Sequence, residues 1–229
     1  MTDDHAGPAV SRRLMAVVAH PDDETLGAGG TLARATRSGH HTAVAVLAPT
    51  TTSRAPLSAT ATREDLDAAV RMLGVGDLIL GSFDDNRLDA VPLLEIVRFV
   101  ESAIAAIRPD VVLTHHRGDL NIDHRRCHEA VLVATRPTPG NSVETVLAFE
   151  VPSSTEWRHD PATVFAPNVF VDIAATIDTK IDTLRCYGTE VREAPHPRSP
   201  EAVRALAVLR GSAAGLIAAE GFELVRTIR

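Results

Sequence analysis

Leu14-Met15-Ala16-Val17-Val18-Ala19-His20-Pro21-Asp22-Asp23-Glu24 joins a short apolar run to a polar stretch in which every residue but the proline is ionisable. The run reads as a buried strand of a parallel sheet. Such strands are covered on both faces and lose the alternation of a half-exposed strand. Glu24–Ser38 follows as a helix and stops at Gly39, a residue suited to the left-handed turn that closes helices.

The same alternation continues outward. Ala43–Ala48 is a second buried strand, and Pro49–Ala59, rich in Thr, Ser and Pro, is a loop. Thr62–Leu73 carries Leu66, Ala69, Val70 and Leu73 on one helical face and ends at Gly74. Asp77–Leu80 is a strand, and Pro92–Ile107 is a helix that Pro109 terminates. Val111–Thr114 is the next strand, His115–Asn121 a polar loop, and Asp123–Ala134 a helix. Val143–Val151 and Val169–Ile173 read as strands, and Asp178–Gly188 and Pro200–Ala219 as helices. The expected fold is α/β, with a Rossmann-like, mostly parallel sheet flanked by helices. No repeat or linker interrupts it, so residues 1–229 are expected to form a single domain with residues 1–12 as a flexible N-terminus.

Composition narrows the function. Hydrophobic residues make up 45%, enough for a core, and the formal net charge is −7. An acidic chain with 3% aromatics offers neither a phosphate-binding stripe nor a base-stacking surface, so nucleic acid is excluded as a partner. The apolar run at Leu14–Ala19 is too short to span a membrane, and Met1–Val10 lacks a basic leader. A cytoplasmic protein is expected, with no membrane partner. Cys127 and Cys186 stand far apart and form no CxxC pair, which argues against a disulfide framework or a thiolate zinc site.

Histidine is the unusual element. Four of the ten, His115, His116, His124 and His128, fall within 14 residues. In a doubly wound sheet ligands bind beyond the carboxyl ends of the strands. His20–Glu24 and His115–His128 both follow strands and therefore meet at one rim. Helix-terminal acids are favoured electrostatically, which accounts for Asp22, Asp23 and Glu24 singly but not for His20 at the strand end. His20, Asp23 and His124 together offer two imidazoles and a carboxylate, a zinc set with an open position. Asp22, beside a ligand but not one itself, is then placed to take a proton from water. His128, one turn beyond His124, reads as a packed residue. Gly27-Ala28-Gly29-Gly30 is a poor match to a dinucleotide loop, because His20–Glu24 occupy the place where the phosphate turn should begin. These glycines instead predict close helix–sheet packing.

Ala19-His20-Pro21-Asp22-Asp23-Glu24 with Leu26-Gly27 and Gly29-Gly30 resembles the PIG-L/LmbE-like family of zinc-dependent N-acetyl deacetylases. So do Arg108-Pro109-Asp110-Val111-Val112, Asp119 and Asp123-His124-Arg125. Weaker likenesses run through Arg63-x-x-Leu66, Asp85-x-x-Leu88, Phe165-x-Pro167-Asn168, Lys180, Tyr187 and Ala219-Glu220-x-Phe222. The resemblance implies that His20, Asp23 and His124 bind zinc, with iron or another divalent metal as the alternative. It implies that Asp22 is the general base, and that Asp123 is a carboxylate tuning the adjacent histidine. Arg63 and Asp85 would grip sugar hydroxyls. Where family members often have a histidine, this chain has Asn121. Its amide can donate to an oxyanion but cannot act as an acid, so amine protonation falls to Asp22, His115, His116 or His196. Outside the motifs, Trp157 offers a face for a sugar ring, and His196 and Arg198 are candidates for an anionic substrate group.

The expected function is a zinc-dependent hydrolase that removes an N-acetyl group from an amino sugar or amino-sugar-containing small molecule, in glycan or natural-product biosynthesis. Two other readings stand beside it. One is an amidase on a thiol conjugate of an amino sugar. The other is a non-catalytic sugar- or nucleotide-binding module. The sequence does not speak to oligomeric state.

Overall fold

The structure, a computed structural model, describes residues 12–49, 63–188 and 190–228. The expected flexible N-terminus, Arg12 apart, and residues 50–59 of the expected loop lie outside the described residues.

Among the described residues, seven strands form one sheet: β1 (Arg13–Val18), β2 (His41–Val46), β3 (Asp77–Leu80), β4 (Val111–His115), β5 (Thr145–Phe149), β6 (Val169–Asp172) and β7 (Ala219–Thr227). Their order is β3-β2-β1-β4-β5-β7-β6. β1 to β5 pair in parallel, and β7 runs antiparallel to both β5 and β6. The α/β, mostly parallel sheet is thus as expected. Six α-helices among the described residues cover it: α1 (Asp23–Arg37), α2 (Arg63–Leu73), α3 (Leu93–Ile107), α4 (Ile122–Ala134), α5 (Ile177–Cys186) and α6 (Pro200–Ser212). α1, α2, α5 and α6 pack on one face, and α3 and α4 on the other. Among the described residues no helix is long and apolar enough to cross a membrane.

β1 shows why the apolar run folds this way. Ala16 and Val18 enter the core beneath α1, while Met15 and Val17 enter the core beneath α3 and α4. A strand buried on both faces needs continuous hydrophobicity. The glycines of α1 serve packing, as expected. A Cβ on Gly27 would overlap the Phe149 ring of β5, and one on Gly30 would lie 2.8 Å from Ile173.

Two expectations need correction. Pro200–Ala219 is not one helix: α6 ends at Ser212, Gly215 turns with φ +72°, and Ala219 begins β7. Glu220 and Gly221 lie in that strand, paired with Val171 and Phe170 of β6. Glu220 is buried because Lys180 neutralises it at 2.6 Å, while its carboxylate accepts from the Gly30 and Thr31 N–H groups of α1 at 2.9 and 2.7 Å. Lys180 also donates to the Leu26 carbonyl at 2.8 Å. The second correction is His115, which ends β4 instead of opening the loop after it.

Strand order reverses between β1 and β4. At such a switch point the connections leave in opposite directions and open a crevice. The two polar clusters lie there, directly after β1 and β4.

Candidate metal centre

Chain geometry after β1 sets the first half of the site. Asp22 adopts φ +93°, ψ −28°, and α1 starts at the next residue. A non-glycine residue in such a conformation costs about 1–3 kcal/mol and persists only where its surroundings enforce it. Here the Asp22 carbonyl accepts from Thr25 and Leu26 N–H at 3.1 and 2.8 Å. The Asp22 N–H donates to Glu24 Oε2 at 3.1 Å. The turn brings Asp23 back under His20, whose N–H donates to Asp23 Oδ2 at 2.9 Å.

The second half follows β4. Asn121 caps α4, its Oδ1 accepting from Asp123 N–H at 2.8 Å, as expected of an N-cap. That bond occupies the carbonyl half of the amide and leaves the NH2 half as a donor. Asp119 is fixed by Asn121 N–H at 2.8 Å, by Thr155 Oγ1 at 2.6 Å and by the Ser154 hydroxyl.

His20 Nδ1 lies 3.4 Å from Asp23 Oδ2, and His124 Nε2 lies 3.3 Å from Asp23 Oδ1. Both separations exceed a normal hydrogen bond. One donor atom from each residue lies within 4.8 Å of the others, and all three residues are buried. Two imidazole nitrogens and a carboxylate oxygen, facing each other without hydrogen-bonding, are a fitting donor set for zinc. Electrostatics agree. Burial alone would lower the histidine pKa values. For His20, the hydrogen bond to Asp123 and the nearby charge of Asp23 outweigh burial and raise it to about 10. For His124, the charges of Asp23 and Asp119 raise it to about 9. The site therefore favours positive charge.

Each histidine of the candidate site has a carboxylate behind it, in a crossed arrangement. Asp123 does not serve adjacent His124; its Oδ2 meets His20 Nε2 at 3.0 Å, and its Oδ1 accepts from Leu88 N–H at 3.0 Å. α4 turns consecutive side chains about 100° apart, so the two point to different neighbours. His124 Nδ1 instead lies 3.1 Å from Asp119 Oδ1, off the hydrogen-bonding axis. Sequence reading assigned Asp119 no role; its signal was a carboxylate two residues before the Asn121 cap.

His20, Asp22, Asn121, Ser153, Trp157 and His196 help line an open cavity of about 560 Å³. Asp85 lines it too, its Oδ1 3.1 Å from His20 Nε2. Arg198 reaches the cavity, but as an anchor: Nη1 donates to Asp22 Oδ2 at 2.6 Å, and Nε to Ser153 Oγ at 2.7 Å. Burial raises the Asp22 carboxyl to about 8, although Arg198 opposes the shift. The Trp157 and His196 rings meet edge to face at 5.7 Å.

Three expected residues stand elsewhere. Arg63, at the start of α2, pairs with Asp67 one turn on at 2.8 Å and does not line the cavity. His115 accepts from Ala19 N–H through Nε2 at 2.9 Å and stacks on His124; burial, and then the charge of His124, lower its pKa to about 3. His116 is held between Glu223 and the Thr163 carbonyl, each at 2.8 Å. Neither histidine is placed to protonate a leaving amine. His128 is a packed residue, as expected, bonded to the His115 carbonyl.

Comparison with known proteins agrees with this geometry. The model of the PIG-L family, described as GlcNAc-PI de-N-acetylase, matches residues 15–135. An Escherichia coli (strain K12) protein named uncharacterized deacetylase YaiS is 31% identical over 168 residues, covering 70% of this chain and 81% of that protein. A Bacillus anthracis protein named probable N-acetyl-alpha-D-glucosaminyl L-malate deacetylase 2 is 25% identical over 189 residues, covering 78% of this chain and 81% of its own. Among solved structures, conserved protein TT1542 from Thermus thermophilus matches with a TM-score of 0.76 at 27% identity, covering 95% of this chain and 96% of that one. The N,N'-diacetylchitobiose deacetylase of Pyrococcus horikoshii shares the fold, with a TM-score of 0.72 at 17% identity over 95% of this chain and 85% of that one.

Proposed function

The chain belongs to the PIG-L family of deacetylases, and on that premise we propose that it hydrolyses the acetamide of an N-acetylated amino sugar, or of a small molecule containing one, to acetate and a free amine. The observation that carries the reading is the buried His20, Asp23, His124 donor set at the switch point, with Asp22 beside it.

His20 through Nδ1, Asp23, and His124 through Nε2 would hold the metal. A divalent ion, zinc by this donor set with iron or cobalt compatible, supplies carbonyl polarisation and a water of lowered pKa when bound. Asp123 and Asp119 keep the two imidazoles oriented. Asp22 is the general base. Its Oδ2 is engaged by Arg198, so Oδ1 takes the proton of the attacking water. The Asn121 NH2 donates to the developing oxyanion. The leaving nitrogen must receive a proton, because an amide anion is a poor leaving group. Asp22 can return the proton it took. His196 is the second candidate: its Nδ1 accepts from Arg198 N–H at 3.1 Å, so a neutral ring carries its proton on Nε2. Asp85 and Trp157 bind the sugar. Asp22 and Arg198 come from opposite ends of the chain and meet at 2.6 Å, which supports treating it as one catalytic domain.

The test is metal per chain in wild type and His20→Ala, purified without a histidine tag, followed by amine release from N-acetyl sugars. About one metal per wild-type chain, lost in the variant, together with metal-dependent amine release, is expected. Equal metal in both proteins, or amine release that survives metal removal, overturns the reading.

A further inference from the structure

Glu24 does not line the cavity, yet it is fully buried. A helix-terminal acid gains its favourable dipole interaction at the surface and has no need of burial. The bonds of Glu24 indicate another task. Oε2 accepts the Asp22 N–H at 3.1 Å, and Oε1 accepts the Thr25 hydroxyl at 2.6 Å. Oε1 also accepts the Tyr187 hydroxyl at 2.7 Å, from a fully buried ring at the end of α5 and 163 residues along the chain. A carboxylate with one oxygen fixed by two hydroxyls has little rotational freedom. Its other oxygen therefore holds the Asp22 N–H in a set direction, and that N–H belongs to the residue with φ +93°.

We propose that Glu24 and Tyr187 are positioning residues: Tyr187 fixes the Glu24 carboxylate, and Glu24 holds the left-handed turn that presents the Asp22 side chain to the cavity. The Glu24 and Thr25 bonds act on the two sides of the strained residue. The N–H is taken by the Glu24 side chain, and the carbonyl by the Thr25 and Leu26 N–H groups. Arg198 then engages only the tip of the side chain. The turn geometry stands on these bonds alone; its effect on turnover rests on the reading of Asp22 as base.

Two near-isosteric variants test this, Tyr187→Phe, which removes only the hydroxyl, and Glu24→Gln, which keeps the volume. The readout is amide hydrogen exchange by NMR on zinc-loaded, 15N-labelled protein, with zinc per chain measured alongside. The Asp22 amide is expected to exchange about tenfold faster or more in each variant, the order of one charge-assisted hydrogen bond. The β1 and β2 amides should keep their rates, and zinc stoichiometry should hold. With an N-acetyl sugar that the wild type turns over, kcat should fall and KM stay. In the Asp22→Asn background, Tyr187→Phe should add no further loss. An unchanged Asp22 exchange rate in both variants overturns the proposal. So does acceleration shared equally by β1 and β2, which marks general destabilisation. If Asp22→Asn itself retains turnover, the reading of Asp22 as base fails, while the exchange rates still decide whether Glu24 and Tyr187 hold the turn.

Discussion

One side of the cavity is made of strand ends and first helical turns: His20 to Asp23 between β1 and α1, and Leu120 to Ile122 with His124 at the start of α4. The opposite side is made of Ser153–Trp157 and Glu190–Arg198, which contribute neither a helix nor a strand. The first side lies within the residues matched by the family model, and the second lies beyond them. The two histidines of the candidate metal site each have a buried carboxylate behind them, Asp123 of α4 for His20 and Asp119 of the loop before α4 for His124. The facing wall is clipped together through Arg198 to Ser153 and through the Trp157–His196 ring contact. On the proposed function, the chemistry sits where strand ends and first helical turns fix the geometry, and recognition sits on loop segments.

Four substitutions break or sharpen that contrast. Asp22→Asn on the scaffold side should lower kcat by roughly two to four orders of magnitude, with zinc per chain unchanged. Steady-state kinetics with parallel metal analysis checks it, and near-normal turnover would remove Asp22 as base. Asp119→Ala should weaken zinc affinity about 10- to 100-fold, read by competition with a chelating dye. Unaltered affinity would mean that His124 needs no carboxylate behind it. Trp157→Ala, on the facing wall, should leave kcat and zinc alone and raise KM by about two- to tenfold, the scale of one ring contact. A fall in kcat at constant KM would put this wall inside the chemistry. Arg63→Ala should do least, changing stability within about 0.5 kcal/mol and leaving KM unaltered. A raised KM would restore Arg63 as a substrate residue and move the boundary of the site toward α2.

Some of this was readable from the chain alone. The elements from β1 to α4 follow from apolar runs and helical periodicity, since each is long enough to bury its own face. The donor set followed from two clusters lying after strands of one parallel sheet. Residues whose meaning depends on distant partners were not readable in this way. β7 was missed because Glu220 is polar until Lys180 neutralises it. Asp123 turned out to serve His20, because helix rotation, and not adjacency, decides which neighbour a side chain meets. Arg198 looked like a hook for a substrate anion until Asp22 was found on it. Glu24 passed for a helix-terminal acid because its partner Tyr187 lies 163 positions away.

The buried Lys180–Glu220 pair has a practical corollary. Lys180 is the only lysine in the sequence, and its amine is locked against Glu220 and the Leu26 carbonyl. Reagents that report primary amines, such as fluorescamine, should find almost no lysine signal on the folded protein. A fluorogenic readout of newly released amino sugar then carries the chain's α-amine as its main protein background, a fixed offset that can be subtracted in a broad screen for slow substrates. The same feature rules out lysine-directed coupling to a sensor surface, so immobilisation should use another handle.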